Sequence, residues 1–244
     1  MRGIEGLAKI PRMPYAIVMR VFAVIPALNE AARIGETIEK VKPFVDGLIV
    51  VDDGSKDGTS EAARRAGAIV LRHALNRGQG AGLRTGTEAA LRLGADVIAH
   101  IDADGQHDPS FIPALVQPIR DGQADIVFGS RFLGLKPQGM PWSRRLLLVA
   151  ARNFNTLVMG IPRSVTDPQS GLRALSAEAA RRLDFRQDRM AHCSEILRLA
   201  TRSDLRWLEV PVVIRYSADT LAKGNQNLDA IKITWQLLLG MFDR

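Results

Sequence analysis

Two aspartates separated by one residue have the clearest chemical potential in this sequence. Asp102 and Asp104 directly follow the apolar run Val97–Ile101, which predicts a buried strand. In the turn after a strand, two such carboxylates can converge on one divalent cation, and carboxylate oxygens are ligands that Mg²⁺ and Mn²⁺ prefer. Gln106 and His107 are close enough in sequence to complete or orient the coordination. Paired acids in a loop are more often only solvated, so the strand and the neighbouring polar clusters are what favour a metal site here.

A second acidic cluster, Asp52-Asp53-Gly54-Ser55, follows the apolar run Leu48–Val51. These are residue types of turns and helix caps, and we expect Asp57 to Thr59 to cap the helix that comes next. Asp53 has no such local role. This leaves a contact between a carboxylate of the cluster and a nucleobase or ribose as the functional alternative to a plain turn.

The glycine-rich segment Asn76-Arg77-Gly78-Gln79-Gly80-Ala81-Gly82 superficially resembles a dinucleotide-binding loop. That motif requires an acidic residue at the end of the next strand, about 20 residues further on, and none is clearly placed there. The segment is therefore predicted to be the start of a helix that packs near the ligand, rather than a loop that contacts phosphate.

Strand and helix patterns alternate over the first 130 residues, which predicts an α/β fold with a mostly parallel sheet covered on both faces. The polar clusters all follow strands, and the carboxyl ends of parallel strands share one edge, where ligands bind in open α/β sheets. Asn29 is expected to cap the first helix, which runs to about Val41. The other predicted strands are Val21–Pro26, Ala68–Leu71 and Asp125–Gly129, and the other predicted helices are Thr59–Ala66, Gly80–Leu93 and Pro109–Arg120.

After Arg131 the alternation stops, and a helical elaboration follows. We interpret residues 19–244 as one domain, with a nucleotide-binding half (19–131) and an acceptor-side or membrane-side half (132–244). Residues 1–18 are a leader of uncertain relevance. The second half is expected to contain helices at Ser143–Gly160, Ala177–Leu183, Cys193–Thr201 and Leu228–Phe242, a loop at Asp167–Arg173 and a strand at Leu208–Arg215.

The net charge of +7 lies entirely in the second half of the chain. Residues 1–130 contain 15 Lys and Arg against 16 Asp and Glu, whereas residues 131–244 contain 18 against 10. An anionic partner is therefore expected there, and a phosphate, a membrane surface and nucleic acid all fit, as does a merely solvated surface. Aromatic residues are only 5% of the chain, which argues against a nucleic-acid partner.

No uninterrupted apolar run reaches the length of about 18 residues that a transmembrane helix needs. The helices at 143–160 and 228–242 are amphipathic, so they can lie on a membrane surface or pack against the sheet. The single Cys193 excludes an internal disulfide. We therefore expect a cytoplasmic protein that is peripheral at the cytoplasmic face of the membrane, or one recruited by a separate membrane subunit.

Taken together, these motifs resemble glycosyltransferase family 2, and within it the dolichyl- and polyprenyl-phosphate sugar synthases. The matching segments span residues 21–173 in the order found in the family, and Val210-Pro211 still fits beyond them. The segments are Val24-Ile25-Pro26-Ala27-Leu28-Asn29-Glu30, Val50-Val51-Asp52-Asp53-Gly54-Ser55, Asp102-Ala103-Asp104-Gly105-Gln106-His107, Gly129-Ser130-Arg131 and Asp167-Pro168-Gln169-Ser170-Gly171-Leu172-Arg173.

The resemblance implies a Rossmann-like GT-A fold, a GDP- or UDP-linked sugar donor, Mg²⁺ or Mn²⁺ as cofactor, and a polyprenyl-phosphate acceptor. Leu28 departs from the aromatic residue often found at its position, which puts stacking on the base in doubt. The implied roles are a base and ribose pocket of Pro26, Leu28, Glu30, Val51 and Asp53; a metal and diphosphate site of Asp102, Ala103, Asp104 and Gln106; phosphate contacts from Arg131, Arg215 and Lys223; and acceptor-phosphate contacts from Arg144 and Arg145.

The expected reaction is in-line attack that inverts the anomeric centre, with Asp104, Arg131 and Asp167 as the catalytic residues. A hydroxyl acceptor needs a general base, for which Asp167 and Glu195 are the candidates, whereas a phosphate monoester is already anionic near neutral pH. The basic second half favours the phosphate acceptor, and Asp167 then orients the acceptor or its loop, or is only a turn residue before Pro168. The alternatives are transfer to a saccharide hydroxyl, a sugar nucleotidyltransferase, and a non-enzymatic anion- or nucleic-acid-binding module.

Overall fold

A seven-stranded mixed sheet forms the centre of the protein. The computed structural model describes residues 19–134, 149, 152, 153, 156, 157 and 160–214. Within them the strand order is β3-β2-β1-β4-β6-β5-β7, and all neighbours are parallel except that β6 runs antiparallel to β4 and β5. The strands are β1 Val21–Ala27, β2 Gly47–Asp52, β3 Ile69–Arg72, β4 Val97–His100, β5 Ile126–Ser130, β6 Arg173–Ser176 and β7 Trp207–Pro211.

Helices cover both faces of the sheet, because alternate residues of each central strand point to opposite sides. On β1, Ala23 and Ile25 face one apolar cluster with helices α1, α2 and α4, whereas Phe22 and Val24 face the other with α3, α5 and α6. The helices are α1 Ile34–Val41, α2 Thr59–Arg65, α3 Gln79–Arg92, α4 Ile112–Arg120, α5 Ala177–Arg182 and α6 His192–Arg202, with 3₁₀ turns at Lys42–Phe44 and Pro109–Phe111.

The strand order reverses between β1 and β4. From β1 the chain proceeds outward to β2 and β3, then crosses back to β4 on the other side of β1. The carboxyl ends of these strands therefore border a crevice, the place where open α/β sheets bind ligands. The predicted α/β sheet is confirmed, and nearly all the predicted strand and helix ends in the described residues agree within two residues.

Three predictions about individual elements were wrong. Asn29 does not cap α1, which begins at Ile34; Asn29 adopts a left-handed conformation (φ 54°), and its side-chain oxygen accepts from the backbone N–H of Lys56. The segment at Arg173 is not only a loop, since β6 begins there and inserts antiparallel between β4 and β5. The last strand ends at Pro211, not Arg215, although Ile214 still forms an isolated bridge with His107.

Candidate active site

A cavity of about 480 Å³ opens at the carboxyl edge of the sheet, where the polar clusters were predicted to meet. It collects residues from the ends of β1, β2, β4 and β5, from the start of α3, and from the loops before β6 and α6. Residues expected in the site that line this cavity are Pro26, Leu28, Glu30, Asp53, Asp102, Ala103, Asp104, Gln106 and Arg131.

Other expected site residues lie elsewhere. The side chain of Val51 is fully buried in the apolar cluster beneath α3, so it supports the cavity floor without lining it. Asp167 is buried behind Arg131. The predicted phosphate-binding residues Arg144, Arg145, Arg215 and Lys223, and the helix at 228–242, lie outside the described residues, as does most of the helix at 143–160.

Asp102 is held by hydrogen bonds on both carboxylate oxygens. Its Oδ1 accepts from Nε2 of Gln79 at 2.6 Å, and its Oδ2 lies 2.9 Å from Nε2 of His107. Burial alone would raise the pKa of Asp102, but the hydrogen bond and the charge of His107 outweigh it and lower the pKa to about 2. Gly171 closes over this pair, since a Cβ there would stand 2.5 Å from Asp102 Oδ2. Asp102 is thus a fixed, ionised carboxylate.

The pKa of Asp104 is shifted in the opposite direction from that of Asp102. Burial raises the pKa of its carboxyl group, and the neighbouring charge of Asp102 raises it further. One oxygen accepts from the backbone N–H of Gln106 at 3.0 Å. Two neighbouring carboxylates in a partly buried wall repel each other, and a divalent cation between them would relieve that repulsion.

Asp53 is more constrained than its sequence context suggested. Its carboxylate accepts from the backbone N–H groups of Arg77 and Gly78, at 2.9 and 2.6 Å, and pairs with Nδ1 of His73 at 2.7 Å. The other ring nitrogen of His73 lies 3.0 Å from the hydroxyl of Thr85. His73 therefore orients the acidic residue at the end of β2, a partnership across 20 residues that the sequence did not reveal.

The glycine-rich segment forms the start of α3, as predicted, and its glycines permit close packing. A Cβ at Gly78 would stand 2.3 Å from the carbonyl oxygen of Asp188, and one at Gly80 would stand 2.0 Å from that of Gln187. Gly86 approaches Val24 of β1 in the same way, at 2.3 Å. Side chains at these positions would push α3 off the sheet and the loop before α6 off α3.

A buried ion pair joins the end of β5 to the loop before β6. The guanidinium of Arg131 donates from Nε and Nη2 to the two oxygens of Asp167, both at 2.6 Å. The side chains are only 5% and 1% exposed. The backbone around Asp167 is held in turn by Glu209, whose carboxylate accepts from the N–H groups of Thr166 and Asp167. Asp167 is therefore a fixed partner of Arg131, not only a turn residue.

Glu195, the other candidate base, also holds a loop. Its Oε2 accepts from the backbone N–H groups of Arg186 and Gln187, at 2.9 and 2.7 Å.

A second buried cluster lies behind the cavity, where Nη2 of Arg173 contacts the thiol of Cys193 at 3.6 Å. Burial would raise the pKa of Cys193, but the charges of His192 and Arg173 lower it to about 7.

Several cavity residues were not predicted as site residues. Their place in the cavity depends on contacts between segments far apart in sequence, so a motif alone does not assign a residue to the site. Asn76, Gly78 and Gln79 belong to the glycine-rich segment and Gln169 and Gly171 to the predicted loop, so these five stand inside recognised motifs. His107 was named only as a possible helper of the metal, and Arg189, Met190 and Ile214 carry no motif signal.

Most of the chain that forms this cavity matches a known protein family. The model of Glycosyl transferase family 2 matches residues 22–183, the stretch that carries β1 to β6 and the cavity motifs. The chain is a family 2 glycosyltransferase. The resemblance drawn from its motifs and the expectation of an enzyme are both confirmed.

Relatives of this glycosyltransferase include enzymes named for lipid-phosphate acceptors. It is 33% identical to the UDP-N-acetylglucosamine–dolichyl-phosphate N-acetylglucosaminyltransferase of Methanococcus voltae, over 90% of this chain and 95% of the relative. It is also 33% identical to the undecaprenyl-phosphate mannosyltransferase of Micrococcus luteus, over 68% of this chain and 70% of the relative.

Among solved structures, the glycosyltransferase resembles glucosyl-3-phosphoglycerate synthase from Mycobacterium tuberculosis, in a complex with Mn²⁺, UDP and glucosyl-3-phosphoglycerate. The TM-score is 0.73 at 25% identity, over 93% of this chain and 80% of that one. This likeness confirms the GT-A fold. Within the described part of the chain, none of the helices has the length and apolar character needed to cross a bilayer.

Proposed function

We propose that this glycosyltransferase transfers a hexose from a nucleoside-diphosphate sugar to a polyprenyl phosphate, with inversion at the anomeric carbon and dependence on a divalent cation. The observation that carries the proposal is the cavity itself, in which Asp53, Asp102, Asp104 and Arg131 meet at the point of strand-order reversal. The names of the relatives support the donor and acceptor classes.

The nucleoside end of the donor is assigned to the wall formed by β1 and β2. Leu28 and Pro26 offer apolar surface for a base, and Asp53 offers a carboxylate held in place by His73 and two backbone N–H groups. A carboxylate fixed in this way can accept a hydrogen bond from the base or the ribose without losing further side-chain conformational entropy on binding. Glu30 lies on the same wall.

The divalent cation is assigned to Asp102, Asp104 and Gln106. The described residues contain no group of three or more His, Cys, Asp and Glu side chains arranged to hold a metal ion. The fit therefore depends on oxygen ligands: two carboxylates and an amide, completed by the donor's diphosphate, a set that suits Mg²⁺ or Mn²⁺. The raised pKa of Asp104 agrees with this, because burial and the charge of Asp102 disfavour its ionised form and a cation would favour it. When bound, the cation supplies Lewis acidity at the diphosphate leaving group.

The contacts of the two candidate bases support a phosphate acceptor. Asp167 is engaged bidentately by Arg131, and Glu195 by two backbone N–H groups. Neither lines the cavity, so no carboxylate among the described residues stands ready as a base apart from those assigned to the donor and the cation. A phosphate monoester needs cations to position it and no base, which matches the basic half of the chain.

In the reaction, an oxygen of the lipid phosphate attacks the anomeric carbon from the face opposite the leaving nucleoside diphosphate. One C–O bond forms as the other breaks, and the departing diphosphate takes the electron pair of the broken bond. Arg131, fixed by Asp167, presents positive charge at the cavity wall without reorganising during the step.

We further propose that the enzyme is one domain with a donor half (19–131) and an acceptor half (132–244), and that it acts at the cytoplasmic face of a membrane. The lipid acceptor and the basic second half support this location. Arg144, Arg145, Arg215 and Lys223 are assigned to the phosphate groups of the acceptor and donor on the family resemblance, and recruitment by a separate membrane subunit is part of the same proposal.

Transfer to a hydroxyl acceptor is the second candidate, favoured by the structural likeness to a synthase solved with glucosyl-3-phosphoglycerate. A transfer assay separates the two. The purified enzyme is given UDP- and GDP-linked hexoses with Mn²⁺ or Mg²⁺, and either a short polyprenyl phosphate in detergent or phosphoglyceric acid. We expect a lipid-linked product whose anomeric configuration by NMR is opposite to that of the donor. A product only on the hydroxyl acceptor, or retained configuration, would refute the proposal.

A further inference from the structure

The loop between α5 and α6 (residues 183–191) is attached at several points to α6 and to the start of α3. Glu195 accepts from two of its backbone N–H groups, and its Asp188 carbonyl accepts from the N–H of Ala81 at 3.1 Å. The side chain of Asp188 pairs with Arg84 of α3 at 2.5 Å. The loop is therefore held on the first turns of α3, next to the cavity mouth.

The glycine-rich start of α3 is the surface on which this loop sits. Gly78 and Gly80 let the carbonyl oxygens of Asp188 and Gln187 approach to distances at which a Cβ would collide. The loop thereby places Arg189 and Met190 on the cavity wall. The glycine-rich segment therefore also determines which residues of the α5–α6 loop reach the cavity.

Arg189 differs from Arg131, the other arginine of the described cavity wall. Arg131 is balanced by Asp167, whereas the exposed guanidinium of Arg189 makes no hydrogen bond or ion pair with any residue that the structure describes. Its Cγ lies against Gly78, 2.9 Å from where a Cβ would be. Gly78 donates to Asp53, and Gln79 donates to Asp102. Arg189 therefore lies beside the two residues of the α3 start that hold Asp53 and Asp102.

We infer that Arg189 binds a phosphate oxyanion of the ligand. The described cavity wall contains four carboxylates, from Glu30, Asp53, Asp102 and Asp104, so a polyanionic ligand needs nearby positive charge that is not already neutralised. A guanidinium presents a planar fork of N–H donors that matches phosphate oxygens. The inference deepens the proposed function and rests on it.

Two phosphates could supply this oxyanion: the diphosphate of the donor and the monophosphate of the acceptor. The experiment therefore has two arms on wild type, Arg189→Gln and Arg189→Lys. Binding of UDP and GDP with Mn²⁺ is measured by calorimetry, and the KM for polyprenyl phosphate is measured at saturating donor. Arg186→Gln is the matched control, because Arg186 is on the same loop, pairs with Asp184 and does not line the cavity.

A donor contact predicts that Arg189→Gln weakens nucleotide binding about tenfold, the loss typical of one charge-assisted hydrogen bond. An acceptor contact predicts unchanged nucleotide binding and a KM for polyprenyl phosphate about tenfold higher. In either case Arg189→Lys recovers part of the loss, and Arg186→Gln matches wild type. If Arg189→Gln matches Arg186→Gln in both arms while wild type is active, the inference is wrong and the proposed function stands. If wild type neither binds a nucleotide nor transfers sugar, both fail.

Discussion

The guanidinium of Arg131 and the carboxylate of Asp167 form a bidentate ion pair that is almost completely buried. The same carboxylate also accepts from the backbone N–H of Arg131 at 3.1 Å. Three hydrogen bonds therefore join the end of β5 to the loop before β6. The pair fixes one cation of the cavity wall, and it removes Asp167 from the set of carboxylates free to accept a proton from substrate.

Replacing Asp167 by Asn should damage both folding and activity. The substitution keeps the size of the side chain but leaves a buried guanidinium without its counter-charge, which costs about 3 kcal/mol of unfolding free energy. We expect kcat to fall at least about tenfold, since Arg131 loses its fixed position. Urea unfolding and steady-state kinetics measure the two effects.

The pH–rate profile separates the two possible roles of Asp167. If Asp167 only positions Arg131, the pH–rate profile of Asp167→Asn should keep the shape of the wild-type profile while the rate falls at all pH values. Loss of the acidic limb with normal stability would instead identify Asp167 as a general base. Asp184→Asn is the control, because the Asp184–Arg186 pair is exposed to solvent and should contribute little to stability.

Gly80→Ala should displace the α5–α6 loop. The added Cβ would stand 2.0 Å from the carbonyl oxygen of Gln187 and 3.0 Å from Cβ of His192, so backbone must move. We expect a loss of about 1–3 kcal/mol, as for other overpacked sites. Chemical denaturation measures the loss, and nucleotide affinity reports whether the cavity wall moved with the loop.

Gly35→Ala is the control for Gly80→Ala, because it adds the same methyl group at a helix position with free space. Gly35 lies in α1 and has nothing within 4 Å of its would-be Cβ. Because alanine favours the helix over glycine, this variant should be as stable as wild type or up to about 1 kcal/mol more stable. Equal stabilities of the two variants would contradict the packing account of the glycine-rich segment.

Asp52 should make the stability of the protein depend on pH. Burial tends to raise the pKa of this carboxyl group, but hydrogen bonds from Ser55 and Ser60 outweigh it and lower the pKa below its usual range. Folding therefore favours the ionised form. The stabilisation is complete above the pKa of the unfolded chain, about 3.9, and is lost as the pH falls through the lower folded-state pKa.

We therefore expect Asp52→Asn to lower the unfolding free energy by about 1–2 kcal/mol at neutral pH. The gap to wild type should narrow below about pH 4, and urea titrations at about pH 7 and pH 3.5 measure it. Asp121→Asn, at an exposed residue after α4, is the control and should change stability by less than about 0.5 kcal/mol at either pH. A gap that widens in acid would contradict the assigned hydrogen bonds.

The sequence predicted the parallel part of the sheet mainly because β1, β2, β4 and β5 are apolar runs followed by polar clusters. It did not predict β6, whose four residues pair with β4 and β5, strands that end more than 40 residues earlier. The prediction that Asn29 caps α1 was wrong for a related reason. Its side chain meets the backbone N–H of Lys56, a partner that local capping rules do not consider.

The site was predictable where one motif supplies the chemistry, as at Asp102 and Asp104. It was not predictable where two distant segments cooperate. The pairing of Arg131 with Asp167 joins two recognised motifs in a way that neither shows alone. Arg189 belongs to no motif at all, and only the packing of its loop against Gly78 and Gly80 brings it to the cavity.

We propose that Asp102 and Asp104 hold a divalent cation that binds the donor diphosphate. The most direct test is calorimetric titration of UDP and GDP into wild type, Asp104→Asn and the control Asp121→Asn, with and without Mn²⁺. We expect tight binding of one nucleotide only with Mn²⁺, equal in wild type and Asp121→Asn. In Asp104→Asn that binding should be at least about tenfold weaker, since mutation of residues that only support metal ligands already costs about 10–100-fold in metal affinity. The thermal midpoint of the metal-free Asp104→Asn should be no lower than that of wild type, because the repulsion between the two carboxylates is gone. Metal-independent nucleotide binding, or full binding by a folded Asp104→Asn, would contradict the claim.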